Sequence, residues 1–432
     1  MAGRADPGRG AVYAASRLFV DAGTVVAPGA VGVVDGVVVA AGSPADVGRS
    51  VPAGSERLEW PGAAIVPGLV NAHAHLQIPR LPGLSAEEAP PGAFVEWILR
   101  IVAWKRGAAP EEFARNLASA AAESLAAGTT AVGEIAGPDA AAYAACPLRA
   151  RVLAEGIGFA DEAAPATLAS VENALEAIAA AGARNPLVAP GVSPHALYTV
   201  GPVLLRMIAE LASRRSLPAA LHLAESPAEM EFLRTGGGEI ATRLYPAVGR
   251  DVSFFRGIGA TIPRYLAGAG FLRPGLLLVH NVHLSRADVS DLREGGARFV
   301  LCPRSNAAHG NGLPDVTHFV DAGIPFALGT DSAASVPDGS LWEEMRAARA
   351  IYRGALGEAA LCRALFRAAT ENGAGALGLA GGTLRPGAPA DFVLVEDAGG
   401  EGAAASRNLL ERTDGPRVLL TAVGGRRLHE RA

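Results

Sequence analysis

The stretch that decides the fold reads Pro67-Gly-Leu-Val-Asn-Ala-His-Ala-His-Leu76. An apolar run at 63–66 leads into it, which predicts a buried strand over 63–70 with His73 and His75 at its carboxyl end. Side chains two apart on a strand lie on one face, so both imidazoles can reach one ion. Imidazole is a common ligand of zinc and iron, although histidine pairs also occur at surfaces and in cores. The rest of the chain must decide between these alternatives.

The composition describes a globular protein that acts on a small molecule. The chain has 432 residues, 50% apolar and 19% charged, with a net charge of −5. Its basic residues are scattered, which argues against nucleic acid and anionic membrane as partners. No apolar run is long enough to cross a bilayer, and residues 1–7 lack the apolar core of a secretion signal. These observations predict a cytoplasmic protein.

Cysteine and lysine usage limits the kind of metal site. Cys146, Cys302 and Cys362 are far apart and form no Cys-x-x-Cys pair, so we expect reduced core cysteines and no cysteine-built metal site. Lys105 is the only lysine. It follows a predicted helix at 94–104, a poor position for the carboxylated lysine that bridges two metals in some hydrolases. One metal ion is therefore expected.

Both chain ends are rich in short β-branched runs. Residues 11–59 alternate such runs with turns, including a hairpin turn at Asp35-Gly36, and residues 381–395 and 417–423 repeat the pattern. We predict one small accessory β-sandwich domain built from 1–66 and 380–432. The middle, 67–379, would then be one catalytic unit.

The middle of the chain alternates strand-like and helix-like segments. A helix is predicted from Pro110 to Gly128, with proline at its first position and acids in its first turn. Eight strands are predicted at 63–70, 129–135, 151–157, 187–193, 218–223, 275–279, 297–301 and 325–329. Eight βα units in about 300 residues fit a TIM-type (β/α)₈ barrel. No Gly-x-Gly-x-x-Gly follows a strand, which argues against a dinucleotide-binding open sheet.

Polar residues with metal-binding chemistry follow the predicted strands. They are His73, His75, His195, His222, His280 and Asp331. These include five of the nine histidines, and the carboxyl ends of barrel strands all lie on one face. A metal-dependent active site is predicted there.

Six motifs in this order resemble the amidohydrolase superfamily, in the branch of cytosine-, guanine- and adenosine-type deaminases and triazine hydrolases. They cover nearly the whole chain: Pro67-Gly-Leu-Val-Asn-Ala-His-Ala-His75, Ser193-Pro-His-Ala-Leu-Tyr-Thr199, Leu221-His-Leu-Ala-Glu225, Leu278-Val-His-Asn-Val-His-Leu284, Leu301-Cys-Pro-Arg-Ser-Asn306 and Leu328-Gly-Thr-Asp-Ser332. The resemblance implies the same barrel fold and a hydrolase acting on carbon–nitrogen bonds other than peptide bonds.

The resemblance also implies a ligand set and a mechanism. One divalent ion, zinc before iron or manganese, would be held by His73, His75, His222 and Asp331. Three nitrogens and one carboxylate leave a position open for water, whose pKa the ion lowers to about 7. Metal-bound hydroxide would attack the amino-bearing carbon, with Glu225 as proton shuttle, His280 orienting the water and Asp331 accepting its proton. Ammonia would be released.

Substrate contacts are assigned by resemblance with alternatives open. His195 would contact the substrate or tie its own loop. Arg304 and Asn306 follow the seventh strand and would line the mouth, where Arg304 would clamp a carboxylate or pair with a surface acid. Trp97, with Phe94, would form an aromatic wall or belong to the core.

Four stretches resemble one sub-branch, the 6-aminodeoxyfutalosine deaminases of menaquinone synthesis, whose substrate is an adenine nucleoside bearing a benzoate. They are Phe94-Val-Glu-Trp-Ile98, Gly128-Thr-Thr-Ala-Val-Gly-Glu-Ile135, Ala224-Glu-Ser-Pro-Ala-Glu-Met-Glu-Phe-Leu233 and Cys302-Pro-Arg-Ser-Asn306. Gln77, Leu197 and residues 307–310 depart from that pattern, so the resemblance implies deamination more directly than it implies this substrate.

Two rival functions remain at this point. A hydrolase that dechlorinates triazines or opens cyclic amides would use the same site, and a catalytically inactive barrel would serve as a binding module. Relatives are often dimers, so a homodimer is compatible with the resemblance.

Overall fold

The structure is a computed structural model that describes residues 10–81, 94–336, 338–354, 356–400, 403–412 and 415–431. The N-terminal residues 1–7, used above to argue against a secretion signal, lie outside this part of the chain. Strands and helices are numbered in chain order below. Among the described residues, no helix combines the length and hydrophobicity needed to cross a membrane.

Eight parallel strands form the barrel. They are β6 (Leu69–Ala74), β7 (Thr129–Ile135), β8 (Arg149–Gly156), β9 (Val188–Pro194), β10 (Ala220–Leu223), β11 (Leu277–His280), β12 (Arg298–Leu301) and β13 (Phe326–Leu328). Strands β6–β9 and β10–β13 pair in chain order as two four-stranded sheets. Parallel bridges Val192–Ala219 and Ala74–Asp331 join the two sheets at both seams. The predicted TIM-type barrel is therefore confirmed.

The first barrel strand differs from the prediction. The apolar run predicted as one strand at 63–70 belongs to two elements, β5 (Glu56–Pro67) of another sheet and β6 of the barrel. The break falls at Gly68, whose N–H donates to the carbonyl oxygen of Asp391. A Cβ at Gly68 would lie 2.1 Å from Thr130 Oγ1, so only glycine allows this close approach. Hydrophobicity continues across the break because both strands are buried.

Most of the described helices lie around the barrel, whereas the helix at Pro44–Ser50 packs against the sheet built from the chain ends. The helices are α1 (Pro44–Ser50), α2 (Phe94–Gly107), α3 (Pro110–Ala126), α4 (Ala164–Arg184), α5 (Pro202–Arg214), α6 (Pro227–Thr235), α7 (Tyr245–Ala247), α8 (Ile262–Gly268), α9 (Arg286–Glu294), α10 (Pro303–Ala308), α11 (Val316–Asp321), α12 (Leu341–Tyr352), α13 (Glu358–Ala368), α14 (Glu371–Leu377) and α15 (Ala403–Glu411). Short 3₁₀ turns occur at Ala140–Ala145 and Asp161–Ala163, and a π turn at Ile240–Leu244.

A second sheet combines strands from both ends of the chain. Besides β5 it contains β1 (Ala11–Phe19), β2 (Val25–Val26), β3 (Gly29–Val34), β4 (Val37–Gly42), β14 (Phe392–Glu396), β15 (Val418–Val423) and β16 (Arg426–Glu430). The strand order is β16-β15-β14-β5-β1-β3-β4, with β2 beside β1. Alternate residues of β5 face different cores: Ile65 packs within the accessory sheet, whereas Ala64 and Val66 pack against the helices of the barrel. The domain boundaries at 66 and 380 stay a prediction.

The barrel interior is a packed core rather than a channel. Val70, Ala131, Leu153, Leu277 and Val300 from five strands meet there, each with at most 3% of its surface exposed. Leu377 of α14 joins the same cluster. Apolar side chains fill the barrel below the carboxyl ends of the strands, so the polar side chains gather above them at one mouth.

Candidate metal centre and active site

Four side chains predicted as metal ligands converge at the mouth of the barrel. His73 is the second-to-last residue of β6, and His75 directly follows that strand. His222 lies within β10. Asp331 comes three residues after β13, and its backbone bridges to Ala74. Because the strands close into a barrel, residues that are up to 258 positions apart in the sequence come together.

The distances fit one shared ion. His75 Nε2 lies 3.3 Å from His222 Nε2 and 3.5 Å from Asp331 Oδ1. His73 Nε2 lies 3.7 Å from the same Asp331 oxygen. Candidate ligand atoms lie within 4.8 Å of one another in two overlapping groups, His73–His75–Asp331 and His73–His222–His280.

A cation bound at this mouth would interact with a buried polar atom that has no other partner. His73 Nε2 is buried and has no hydrogen-bond partner among the described residues. Burial lowers the pKa of His75 and His222 well below the usual range, which favours the neutral imidazole that binds metal. Burial alone would raise the pKa of Asp331, but His73 and its neighbours bring it well below normal, which favours the carboxylate. The donor set therefore fits a divalent metal ion.

Surrounding hydrogen bonds orient the candidate ligands. His222 Nδ1–H donates to the backbone oxygen of His195 at 2.7 Å, which leaves Nε2 as the free ligand atom. The hydroxyl groups of Ser305 and Ser335 donate to Asp331 Oδ2 at 2.7 and 2.9 Å. The other oxygen, Oδ1, remains directed at the histidines.

Glu225 lies beside this cluster in a loop whose backbone is hydrogen-bonded to a second acid. Its Oε2 is 3.7 Å from His280 Nε2, and Asn311 Nδ2 donates to its Oε1 at 3.4 Å. The backbone N–H groups of Ala224 and Glu225 donate to the two carboxylate oxygens of Glu229, at 3.0 and 2.7 Å. Ala224 adopts a φ of 51°, a conformation that costs energy for alanine and that this clamp maintains. Burial raises the pKa of Glu225 well above normal, with Asp331 and Glu229 adding to the effect.

Hydrogen bonds also fix the orientation of His280 at the end of β11. Asn306 Nδ2 donates to His280 Nδ1 at 3.1 Å, so the proton of the neutral ring is on Nε2, the atom that faces Glu225. His280 and Asn281 have φ values of 75° and 59°. The Asn281 amide maintains this turn by donating to the backbone oxygens of Leu278 and Val300. Burial lowers the pKa of His280 to about 3.

A cavity of about 320 Å³ opens above the cluster. His75, His222, Glu225, His280 and Asp331 form part of its lining. Its walls are largely apolar and aromatic, as in many small-molecule sites. They include Trp97, Ile98, Ile101, Phe159, Tyr198 and Tyr245.

Two of the four predicted substrate contacts line this cavity. Trp97 belongs to the wall. Its ring packs against the His309 ring in a tilted arrangement, with the two ring centroids 4.4 Å apart. His195 also lines the cavity. Thr199 Oγ1 donates to the Ala196 carbonyl and accepts from His195 Nδ1–H at 2.8 Å, so His195 Nε2 is free to accept a hydrogen bond from a substrate.

The other two predicted contacts lie behind the wall. The Arg304 guanidinium forms a bidentate pair with Asp338, at 2.9 and 3.1 Å, and neither Arg304 nor Asn306 lines the cavity. For Arg304 the geometry matches the alternative in which it pairs with an acid. The structure gives Asn306 a role in orienting His280 instead of a direct place in the cavity.

The sequence interpretation missed several buried groups that support the site. Glu134 of β7 accepts the N–H of Leu76, directly after His75, at 2.9 and 3.1 Å. Glu229, Asn311 and Ser335 were missed as well. Only Glu229 has a local signal, because Ser226-Pro-Ala-Glu229 is the pattern of a helix start and Ser226 does cap α6.

Comparison with known proteins agrees with this geometry. The family model described as "Amidohydrolase family" matches residues 64–428. An aminodeoxyfutalosine deaminase of Deinococcus radiodurans is 33% identical over 374 residues, covering 82% of this chain and 83% of the relative. A 5-methylthioadenosine/S-adenosylhomocysteine deaminase of Halobacterium salinarum is 30% identical over 352 residues, covering 80% and 76%.

A solved structure adds a metal-containing example. The adenosine deaminase from Xanthomonas campestris with bound zinc has a TM-score of 0.79 and 26% identity, covering 98% of this chain and 94% of that one. The extent of the family match and the two relatives is decisive. This chain belongs to the amidohydrolase family, and its deaminase relatives identify it as a hydrolase of carbon–nitrogen bonds other than peptide bonds.

Proposed function

We propose that this protein hydrolytically deaminates an aminopurine nucleoside, and that 6-aminodeoxyfutalosine is the substrate to test first. The observation that carries the proposal is the position of Glu225: a buried acid next to a cluster of three histidines and an aspartate, in the wall of an apolar cavity. Deamination needs a water nucleophile and a proton donor for a ring nitrogen. The cluster of histidines and aspartate would activate the water, and Glu225 would donate the proton.

The cofactor in this proposal is one divalent ion held by His73, His75, His222 and Asp331, with zinc preferred and iron or manganese as the other candidates. The orphaned His73 Nε2 and the histidine–carboxylate donor set support it. Such an ion, when bound, lowers the pKa of a coordinated water from 15.7 to about 7.

Glu225 would act as the proton shuttle. It would donate a proton to a ring nitrogen as water attacks the amino-bearing carbon, then take a proton from the added oxygen and deliver that proton to the departing amino group, which leaves as ammonia. These transfers can pass through one carboxyl group because the Glu229 clamp holds the Glu225 backbone and the side chain faces the cavity. The raised pKa of Glu225 favours the protonated form, which is the form that can donate.

His280 and Asp331 would act on the water. His280 carries its proton on Nε2 and so lacks a lone pair there for a metal, but it can donate a hydrogen bond to the attacking oxygen. Asp331 would accept the proton that the water loses. Ser305 and Ser335 keep its second oxygen occupied.

The choice of nucleoside rests on the relatives and on the cavity. Both named relatives are deaminases by name: the one with 33% identity acts on aminodeoxyfutalosine, and the other acts on 5-methylthioadenosine and S-adenosylhomocysteine. Trp97 offers a face on which a purine can stack, and His195 Nε2 offers an acceptor to its hydrogen-bond donors.

The test is ammonia release by the metal-loaded protein. The substrates are 6-aminodeoxyfutalosine, 5′-methylthioadenosine, adenosine, cytosine and a chlorotriazine. We expect turnover of the purine nucleosides, with 6-aminodeoxyfutalosine having the highest kcat/KM. Chloride release from the triazine with no ammonia from any nucleoside would contradict the proposal, and so would a metal-loaded protein that turns over none of the five.

A further inference from the structure

One wall of the active-site cavity is built from a single stripe of α2. Trp97, Ile98, Ile101, Val102 and Lys105 all line the cavity and repeat at helical spacing. The stripe begins with aromatic and aliphatic side chains and ends in a cation in the last turn. The stripe therefore presents to the cavity an apolar surface and, in the last turn of the helix, a positive charge.

The cation at the end of the stripe is loosely paired. Lys105 Nζ lies 3.7 Å from Glu155 Oε2, which is too long for a hydrogen bond. The two side chains are 33% and 13% exposed. Glu155 Oε1 is buried and has no hydrogen-bond partner among the described residues. The ammonium group therefore keeps its donors available to something within the cavity.

The charge around this pair is positive. Arg106, next to Lys105 on α2, and Arg250 also line the cavity and are exposed. In the part of the chain that the structure describes, neither arginine forms an ion pair, and Arg250 lines a neighbouring pocket together with Glu155. Apart from Glu225 and Asp331, which belong to the proposed catalytic and metal groups, the lining carries three cations and one carboxylate, an excess of positive charge.

We propose that Lys105 is a specificity-determining residue that binds an anionic group, a carboxylate, carried by the substrate on an apolar body. The inference rests on the proposed function, because it assumes that the reacting base occupies the metal end of this cavity. Arg106 and Arg250 add attractive potential, and Glu155 is the acid that competes with the substrate for the Lys105 ammonium group. Ile157 and Val248 provide apolar surface for the body that carries the anion.

The same charges disfavour two other classes of ligand. A neutral substituent would leave the Lys105 ammonium without a new partner. A zwitterionic amino-acid tail would bring its own ammonium group among three cations, and one shared carboxylate, Glu155, offsets this only in part. A monoanion is the class that matches the wall.

The experiment compares 6-aminodeoxyfutalosine with its methyl ester, which has the same body without the negative charge. Both kcat/KM and the Kd from calorimetry are measured for the metal-loaded wild type and for Lys105→Met, Lys105→Arg and Glu155→Gln. Arg426→Gln, at the exposed start of β16, is the control because it removes one positive charge far from the cavity. S-adenosylhomocysteine is the zwitterionic probe.

In wild type we expect the acid to be preferred over the ester by about tenfold or more, the size of one charge-assisted contact. Lys105→Met should bring this ratio close to one, Lys105→Arg should retain it and Glu155→Gln should increase it. Arg426→Gln should leave it unchanged. A variant that only destabilises the fold would lower both rates and leave the ratio intact.

Equal binding of acid and ester to wild type overturns the inference, as does a ratio that Lys105→Met does not change or a preference for S-adenosylhomocysteine over the acid. These outcomes leave the proposed deaminase standing if ammonia is released. If no ammonia is released but the acid still binds better through Lys105, the proposed function fails and the subsite is supported.

Discussion

The carboxylate of Glu229 accepts the backbone N–H of Glu225 at 2.7 Å, so that one buried acid fixes the backbone of another. Its second oxygen accepts the N–H of Ala224 at 3.0 Å. The two acids are four positions apart in sequence: Glu225 lies in the loop that connects β10 with α6, and Glu229 lies in the first turn of α6. The position of the proposed proton shuttle is therefore set by a group that does not line the cavity.

Glu229→Gln should lower kcat by about tenfold without loss of metal. A glutamine offers only one acceptor oxygen, so one buried N–H loses its partner at a cost of about 1–3 kcal/mol, part of which appears as displacement of Glu225. The measurement is kcat against metal content by elemental analysis. A kcat equal to that of wild type would show that the clamp is dispensable.

Glu225→Gln should lower kcat by about 10²–10⁴-fold with the metal retained, because proton transfer to and from the substrate is lost while the ligands stay in place. Ammonia release under saturating substrate is the measurement. Retention of full activity would exclude Glu225 as proton shuttle and would favour a reaction whose leaving group needs no proton, such as displacement of chloride.

His73→Ala should abolish metal content and turnover together. His73 Nε2 belongs to both groups of candidate ligand atoms and has no other partner among the described residues, so its removal leaves each group incomplete. Metal is quantified in the purified protein alongside ammonia release. The control is His429→Ala in β16, which should keep both properties. Activity that persists after the metal is lost would refute the proposed role of the ion.

The fold and the metal cluster could be predicted because their signals are local. Each barrel strand is a short apolar run, and His73, His222 and His280 occur where such runs end, so alternation alone places them on one face. The start of the first strand could not be predicted in this way. The run at 63–70 is apolar throughout, and the change of sheet depends on a close approach of Gly68 to Thr130 that appears only in three dimensions.

The substrate wall was harder to predict because its partners are distant in the chain. Arg304 has no visible acid nearby in sequence, yet Asp338 lies 34 positions on and pairs with it. The sequence placed Lys105 directly after a helix that ends at residue 104. In the structure α2 continues to Gly107, and Lys105 Nζ lies 3.7 Å from Glu155 Oε2. Contacts of this kind depend on the barrel closing, and no local pattern encodes them.

The last prediction concerns pH and Glu134, which supports the loop after His75. Burial raises the pKa of Glu134 from 4.5 to about 8, although Leu76 N–H and the Tyr143 hydroxyl oppose the shift by donating to it. Between these values the unfolded chain is ionised while the folded protein keeps the proton. The folded state then binds more protons, so the free energy of unfolding should decrease as the pH rises from about 4.5 to about 8. Glu134→Gln should weaken this decrease, whereas Glu294→Gln, at the exposed end of α9, should not. Urea unfolding at several pH values with saturating metal measures the difference, and parallel curves for wild type and Glu134→Gln would show that Glu134 does not hold its proton in the folded state.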